Sequence, residues 1–365
     1  MSDPRVQRHA RVLVRYSIRA KKGQVVDVSG ATPAEPLIVA VYEELLRVGA
    51  HPVVSMAPAE LPELFYGLAK QHHLTTLTAY DRACARHVDA RVRIAAPANT
   101  RAMAGVDARK LAVRMKTQKP IRKLLLDKPS VITLHPTDAS AQDAGMSLRD
   151  YEDFVYGAVF ADREQPIAAW KDLRRRQQRQ IARLRGADEV RIVGRGTDLR
   201  MSVKGRKFLN ADGTVNMPSG ELYAAPIEDS AEGHIEYDFP ARRAGREIEG
   251  IRLVFRAGRV VEASAREGEA YLMEMLDLDR DARRIGELGI GTNMSIQRFT
   301  RNLLFDEKIG GTVHLALGFP CTGTGGKTKS ALHWDMIKDL RAAGAIYVDG
   351  KLFQKNGRFV PGFTR

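Results

Sequence analysis

The chain has 365 residues, room for two domains with proper cores, and its 58 Lys+Arg against 44 Asp+Glu give a formal net charge of +14. Hydrophobic residues at 44% and charged residues at 28% exclude general disorder, while two cysteines, Cys84 and Cys321, exclude a disulfide framework or a Cys-rich zinc module. No apolar run reaches the ~18 residues that span a bilayer, and the arginine-interrupted opening is not expected to serve as a signal-peptide core, so a soluble, cytoplasmic protein is expected.

Residues 25–28 read as a strand that leads through a Ser-Gly-Ala-Thr-Pro turn into 35–48, a helical pattern ending at Gly49. Residues 52–56 are the next strand and 59–71 the next helix, and 92–95 and 131–134 complete four short β-rich runs. This alternation predicts an α/β layer with a mainly parallel sheet. Residues 174–185, RRRQQRQIARLR, follow Trp170 and Leu173 at helical spacing and read as an amphipathic helix with a basic, solvated face. Neither aromatic interleaving nor zinc-finger spacing accompanies the charge, so a nucleic-acid partner rests on charge alone and is not favoured.

Beyond about residue 187 the texture changes to short strand-like runs at 190–193, 199–203, 233–236, 251–255 and 259–264, with helical signal at 267–276, 299–304 and 336–343. The expected architecture is an N-terminal α/β domain over 1–190 and a β-rich α+β catalytic domain over 191–365.

Two glycine patterns are rejected as nucleotide loops. GTGGKTKS (323–330) lacks the first glycine of a phosphate loop, where Cys321 stands, and GIGTNM (289–294) lacks the third glycine of a dinucleotide fingerprint. Histidines in the first half have no carboxylates at ligand spacing. In the second half His333-Trp334-Asp335 puts two ligand types two residues apart, on one face if the segment is a strand. His314 lies in the strand-like GTVHLAL, while Glu221 and Glu287 follow Gly-containing turns. Imidazoles with carboxylates suit zinc, cobalt, manganese or iron. There is no HExxH, which excludes a zincin helix.

The blocks NMPSGELYAAP (216–226), RRIGELGIGTN (283–293), LFDEKIGGTVHLALG (304–318) and GGKTKSALHWDMI (325–337) occur in that order, and KKGQVVDVSG and AGMSLRDYEDFV lie upstream. Together they resemble the M29 metallopeptidases, the thermophilic aminopeptidase T and S type, over nearly the whole chain. The resemblance implies that Glu221, Glu287, His314, His333 and Asp335 hold two divalent ions (Zn, Co or Mn), with Glu287 bridging. It implies removal of the N-terminal residue from peptides by a water shared between those ions, with Glu221 a further candidate for moving a proton to the leaving amine. It also implies a homodimer acting on peptides with a free N-terminus, and no membrane partner.

The chain departs from that family at one position. Where better-known members carry a tyrosine between the two ligand histidines, residues 315–332 hold none, and Cys321 stands at that place. A thiol is a weaker hydrogen-bond donor than a phenol and a softer metal ligand; Tyr223 is the candidate oxyanion donor in its stead. The bland readings are that Cys321 fills a turn and that Asp306, Glu307 and Lys308 shape one. The alternative chemistry on such a scaffold is a ring-cleaving dioxygenase with one Fe(II) on two histidines and a carboxylate. The presence of both Glu221 and Glu287 favours hydrolysis.

Overall fold

The computed structural model describes residues 3–363 apart from Ala244, and the chain divides into two compact units. The first runs to Ala169 and takes back Gly213–Pro218; the second comprises Trp170–Asp212 and the chain from Ser219 onward. The division therefore falls earlier than residue 190, because Leu173, Gln177 and Leu184 of the helix Pro166–Leu184 are buried within the second unit.

In the first unit the strands run in the order His51–Ala57, Val25–Ala31, Ala90–Ala95, Ser130–Leu134, Asn216–Met217, all paired parallel. The expected parallel sheet is present. The helix Glu35–Arg47 buries Leu37, Ile38, Val41 and Leu45, the three- and four-residue spacing of one apolar stripe. The single helix expected over 59–71 is two, Leu61–Leu68 and Gln71–Thr75, since Ala69 leaves the helical region at φ −59°, ψ 126°. Among the described residues no helix is long and apolar enough to cross a membrane.

The second unit consists mainly of antiparallel strands in an eight-stranded sheet, a two-stranded ribbon and a five-stranded sheet. The five-stranded sheet runs His333–Asp339, Thr312–Gly318, Ile285–Gly291, Glu221–Ala224, Leu209–Ala211. Two sequence expectations fail here. Residues 336–343 are not helical: Met336 and Ile337 belong to the strand His333–Asp339, where Trp334 and Met336 enter the core and the residues between them face the other way. The apolar spacing fits either period, and pairing with Thr312–Gly318 decides it. The helix expected at 299–304 shrinks to Leu303–Asp306, started by Asn302, whose Oδ1 accepts from Leu304 N.

Candidate metal centre

One face of the five-stranded sheet sends Leu222, Leu288, Leu315, Trp334 and Met336 into the core of the second unit. Strand residues alternate faces, so the opposite face receives Glu221, Tyr223, Glu287, His314, His333 and Asp335. Register sets them in rows. Glu287 lies opposite Ala316, which lies opposite Asp335; Tyr223 lies opposite Gly289, which lies opposite His314. A glycine or alanine in the middle of each row leaves space above the sheet for the long polar side chains beside it.

The five residues implied as ligands come together. His314 Nε2 lies 3.2 Å from Glu221 Oε2 and 3.7 Å from Glu287 Oε1, while His333 Nε2 lies 3.8 Å from Glu287 Oε2 and 3.4 Å from Asp335 Oδ2. The two oxygens of Glu287 are thus divided between the two imidazoles. Glu287 belongs to two clusters of potential ligand atoms lying within 4.8 Å of one another: Glu221, Glu287 and His314 in one, Glu287, Cys321 and His333 in the other. Cys321 Sγ donates to Glu287 Oε2. His333 Nδ1 bonds the carbonyl of Phe319 at 2.7 Å, which turns Nε2 toward the carboxylates.

The charges in this pocket are out of balance. Burial pushes Glu221 and Asp335 above the usual carboxylate range, and Glu307 adds to the effect at both. At His314 burial opposes protonation, but Glu287, Glu221, Glu307 and Asp335 prevail and raise it to about 9. At Glu287 burial also opposes the charge, and His314, Cys321 and His333 outweigh it, holding the carboxyl low. Glu221 Oε2 and His314 Nδ1 are buried without a hydrogen-bond partner. Crowded carboxylates, imidazole nitrogens facing them and an orphaned oxygen are the donor set that divalent cations such as zinc satisfy, so the residues fit the group. The Cys321 thiol is pushed up by burial and by Glu287. Tyr223 is raised to about 12 by burial and by the charges of Cys321, Glu221 and Glu287, so its phenol keeps its proton at neutral pH.

Three supporting side chains have more structure than their sequence readings gave them. Lys308, read as a turn residue, is fully buried; its Nζ lies 3.6 Å from Glu221 Oε1 and donates to Glu307 Oε2. Burial opposes its charge, yet Glu221 and Glu307 hold the ammonium above the usual lysine range. Asp306 does shape a turn, accepting from the backbone N and Oγ1 of Thr300 at 2.8 Å each. Gln177, on the helix read as a basic face, is buried and its Nε2 reaches the carbonyls of Glu221 at 3.2 Å and Ala211 at 3.0 Å. The available signal was a glutamine standing seven residues after Trp170 and seven before Leu184, on the apolar stripe of an otherwise charged helix.

The family model of the thermophilic metalloproteases (M29) matches residues 2–359. Aminopeptidase 2 of Geobacillus stearothermophilus is 27% identical over 353 residues, which cover 87% of this chain and 84% of that one. Among solved structures, wild-type AmpT from Thermus thermophilus superposes with a TM-score of 0.84 at 24% identity, covering 98% of this chain and 99% of that one. A 2,5-dihydroxypyridine dioxygenase from Pseudomonas putida superposes with a TM-score of 0.61 at 18% identity, covering 98% and 97%. At these identities the two structural likenesses carry the fold alone.

Proposed function

Because the chain belongs to the thermophilic metalloprotease family M29, we propose that it is a metallo-aminopeptidase that removes the N-terminal residue of peptides at the five-stranded sheet of its second unit. The observation that carries this reading is the division of Glu287 between two imidazoles, Oε1 toward His314 and Oε2 toward His333. A carboxylate so placed can serve two ion sites at once. Glu221 and His314 would complete one and His333 and Asp335 the other, with zinc, cobalt or manganese as the fitting ions. When bound, such a pair supplies a water acidic enough to be hydroxide near neutral pH and polarises the scissile carbonyl.

The chain's own groups do the rest. Selectivity for a free N-terminus would come from the neutral amine nitrogen, whose lone pair an ion held by these residues could accept and which an acylated nitrogen does not offer. Glu221, whose carboxyl is raised by burial and whose Oε2 lies 3.2 Å from His314 Nε2, is the group proposed to carry a proton to the leaving amine. Tyr223, protonated and on the same face of the sheet, is the donor proposed for the oxygen on which charge develops. A cytoplasmic homodimer is part of the same proposal. Val53, Val54 and Met56 of the sheet-edge strand His51–Ala57, all exposed, offer apolar surface for such an assembly to cover.

The dioxygenase alternative needs a centre of two histidines and a single carboxylate, whereas here Glu221 and Glu287 both stand within reach of His314. Loading the metal-free protein with zinc, cobalt or manganese is expected to give about two ions per chain and hydrolysis of leucyl-p-nitroanilide but not of its N-acetyl derivative. Glu287→Gln should abolish hydrolysis with an unchanged circular-dichroism spectrum. Retained activity in that variant, or oxygen uptake with a dihydroxypyridine on iron loading, would overturn the reading.

A further inference from the structure

We propose that Cys321 is itself a metal ligand: its thiolate, with Glu287 Oε2 and His333 Nε2, completes a sulfur-containing ion site beside the one formed by Glu221, Glu287 and His314. The inference rests on the metal-centre reading above and extends it to a residue outside the five implied ligands.

Three observations carry it. The sulfur, a Glu287 oxygen and a His333 nitrogen lie within 4.8 Å of one another, a span one ion can bridge. The sulfur is aimed at the oxygen of Glu287 that faces His333 and not at the one that faces His314. The loop that carries Cys321 also fixes the histidine, because the Phe319 carbonyl two residues earlier accepts His333 Nδ1–H and leaves the Nε2 lone pair for an ion. A further bond, from Thr324 Oγ1 to the Cys321 carbonyl at 2.6 Å, holds the turn itself.

On binding, the S–H bond breaks, a sulfur–metal bond forms and the proton passes to buffer, so one proton leaves per ion bound there. A thiolate beside an imidazole and carboxylates biases this site toward zinc and cobalt over manganese and magnesium. The neighbouring site, built from oxygen and nitrogen alone, has no such bias. The pair of sites is therefore chemically unequal, and the sulfur-containing one is the more thiophilic.

The chain has only one other cysteine, Cys84, which is exposed in the first unit, so the test is clean. Cobalt(II) is added to the metal-free full-length chain carrying Cys84→Ser, and absorption is read in two regions. Ligand-field bands in the visible report that cobalt is bound; a near-ultraviolet sulfur-to-cobalt charge-transfer band reports a thiolate ligand. The expected result is both bands in Cys84→Ser, and loss of the near-ultraviolet band alone when Cys321→Ser is added. Visible bands without a charge-transfer band overturn the assignment of Cys321 and leave the metal-centre reading standing. Absence of both, with no cobalt retained on dialysis, overturns the two together. A readout that needs no substitution at Cys321 guards against a variant that fails to fold. In the wild-type chain zinc should protect Cys321 from iodoacetamide while Cys84 reacts, as mapped by peptide mass, and equal alkylation of Cys321 with and without bound zinc counts against the proposal.

Discussion

Gly289 lies directly opposite His314 in the pairing of the two central strands of the site, and a Cβ on Gly289 would fall 2.0 Å from His314 Nε2. The imidazole therefore occupies the volume a side chain would need, lying across the glycine backbone with Glu287 two residues away on the same face. The glycines of GELGIG are part of the site's design, since they let a histidine from the next strand reach over toward Glu221 and Glu287.

Gly289→Ala should accordingly strike the site before the fold. The added methyl has no room beside a ring held on a strand, so His314 must rotate away from both carboxylates. Overpacking of this kind costs about 1–3 kcal/mol, small enough for the chain to remain folded. Titration calorimetry with zinc should show one class of site lost or sharply weakened while the His333 site persists. Unchanged zinc binding at both sites would mean that His314 is not held as a ligand.

A second prediction concerns the first unit and acid. His9 on the helix Pro4–Val12 is fully buried, with Nε2 2.9 Å from Thr133 Oγ1 and the Tyr156 ring edge-on at 6.5 Å. Burial, with a smaller contribution from His135, lowers its pKa to about 3. The unfolded chain protonates this histidine below about pH 6.5 and the folded chain does not, so the unfolded state binds more protons between those values. Stability is therefore complete above about pH 6.5 and is lost as pH falls, by about 1.4 kcal/mol per pH unit from this group. Between pH 6.5 and 5 that amounts to about 2 kcal/mol. His9→Gln keeps a donor for Thr133 and cannot titrate, so urea midpoints of the metal-free protein should fall less steeply over this range. Parallel pH profiles of variant and wild type would show that His9 is not held neutral.

What the sequence revealed follows from what each residue type announces locally. Glu221, Glu287, His314, His333 and Asp335 were each ambiguous by spacing, since a glutamate after a glycine turn or a histidine on a strand has an ordinary structural reading, and only the resemblance of the surrounding blocks to the M29 family drew them into one candidate set. The parallel sheet of the first unit was legible because strand and helix periods alternate cleanly there. The strand at Met336 was not, because Met336, Ile337 and Leu340 satisfy a helical period as well as an extended one, and only the neighbouring strand Thr312–Gly318 chooses between them. Lys308 was not legible for a different reason: a lysine in an acidic run before two glycines looks like a solvated turn, and its burial between Glu221 and Glu307 arises from pairing across distant segments.

That burial yields the last prediction. Lys308 is a cation the pocket supplies for itself beside His314, its fully buried ammonium next to Glu221 and Glu307. Lys308→Met keeps the length and apolar stem of the side chain and removes the charge, leaving buried Glu221 with His314 alone and half-buried Glu307 without its ammonium partner. Breaking a buried pair from one side costs about 3–5 kcal/mol. A divalent ion held by Glu221 would take over part of the lost neutralisation, so the penalty should be smaller when metal is present. By linkage, a variant that is weakened more without metal than with it must bind metal more tightly. Guanidinium unfolding of wild type and Lys308→Met, each with chelator and with saturating zinc, measures all four corners of this cycle. The expected pattern is a large loss of midpoint in chelator, a smaller one in zinc and a lower zinc dissociation constant for the variant. Equal losses in the two conditions would mean that Lys308 and the ions do not share the charge of Glu221.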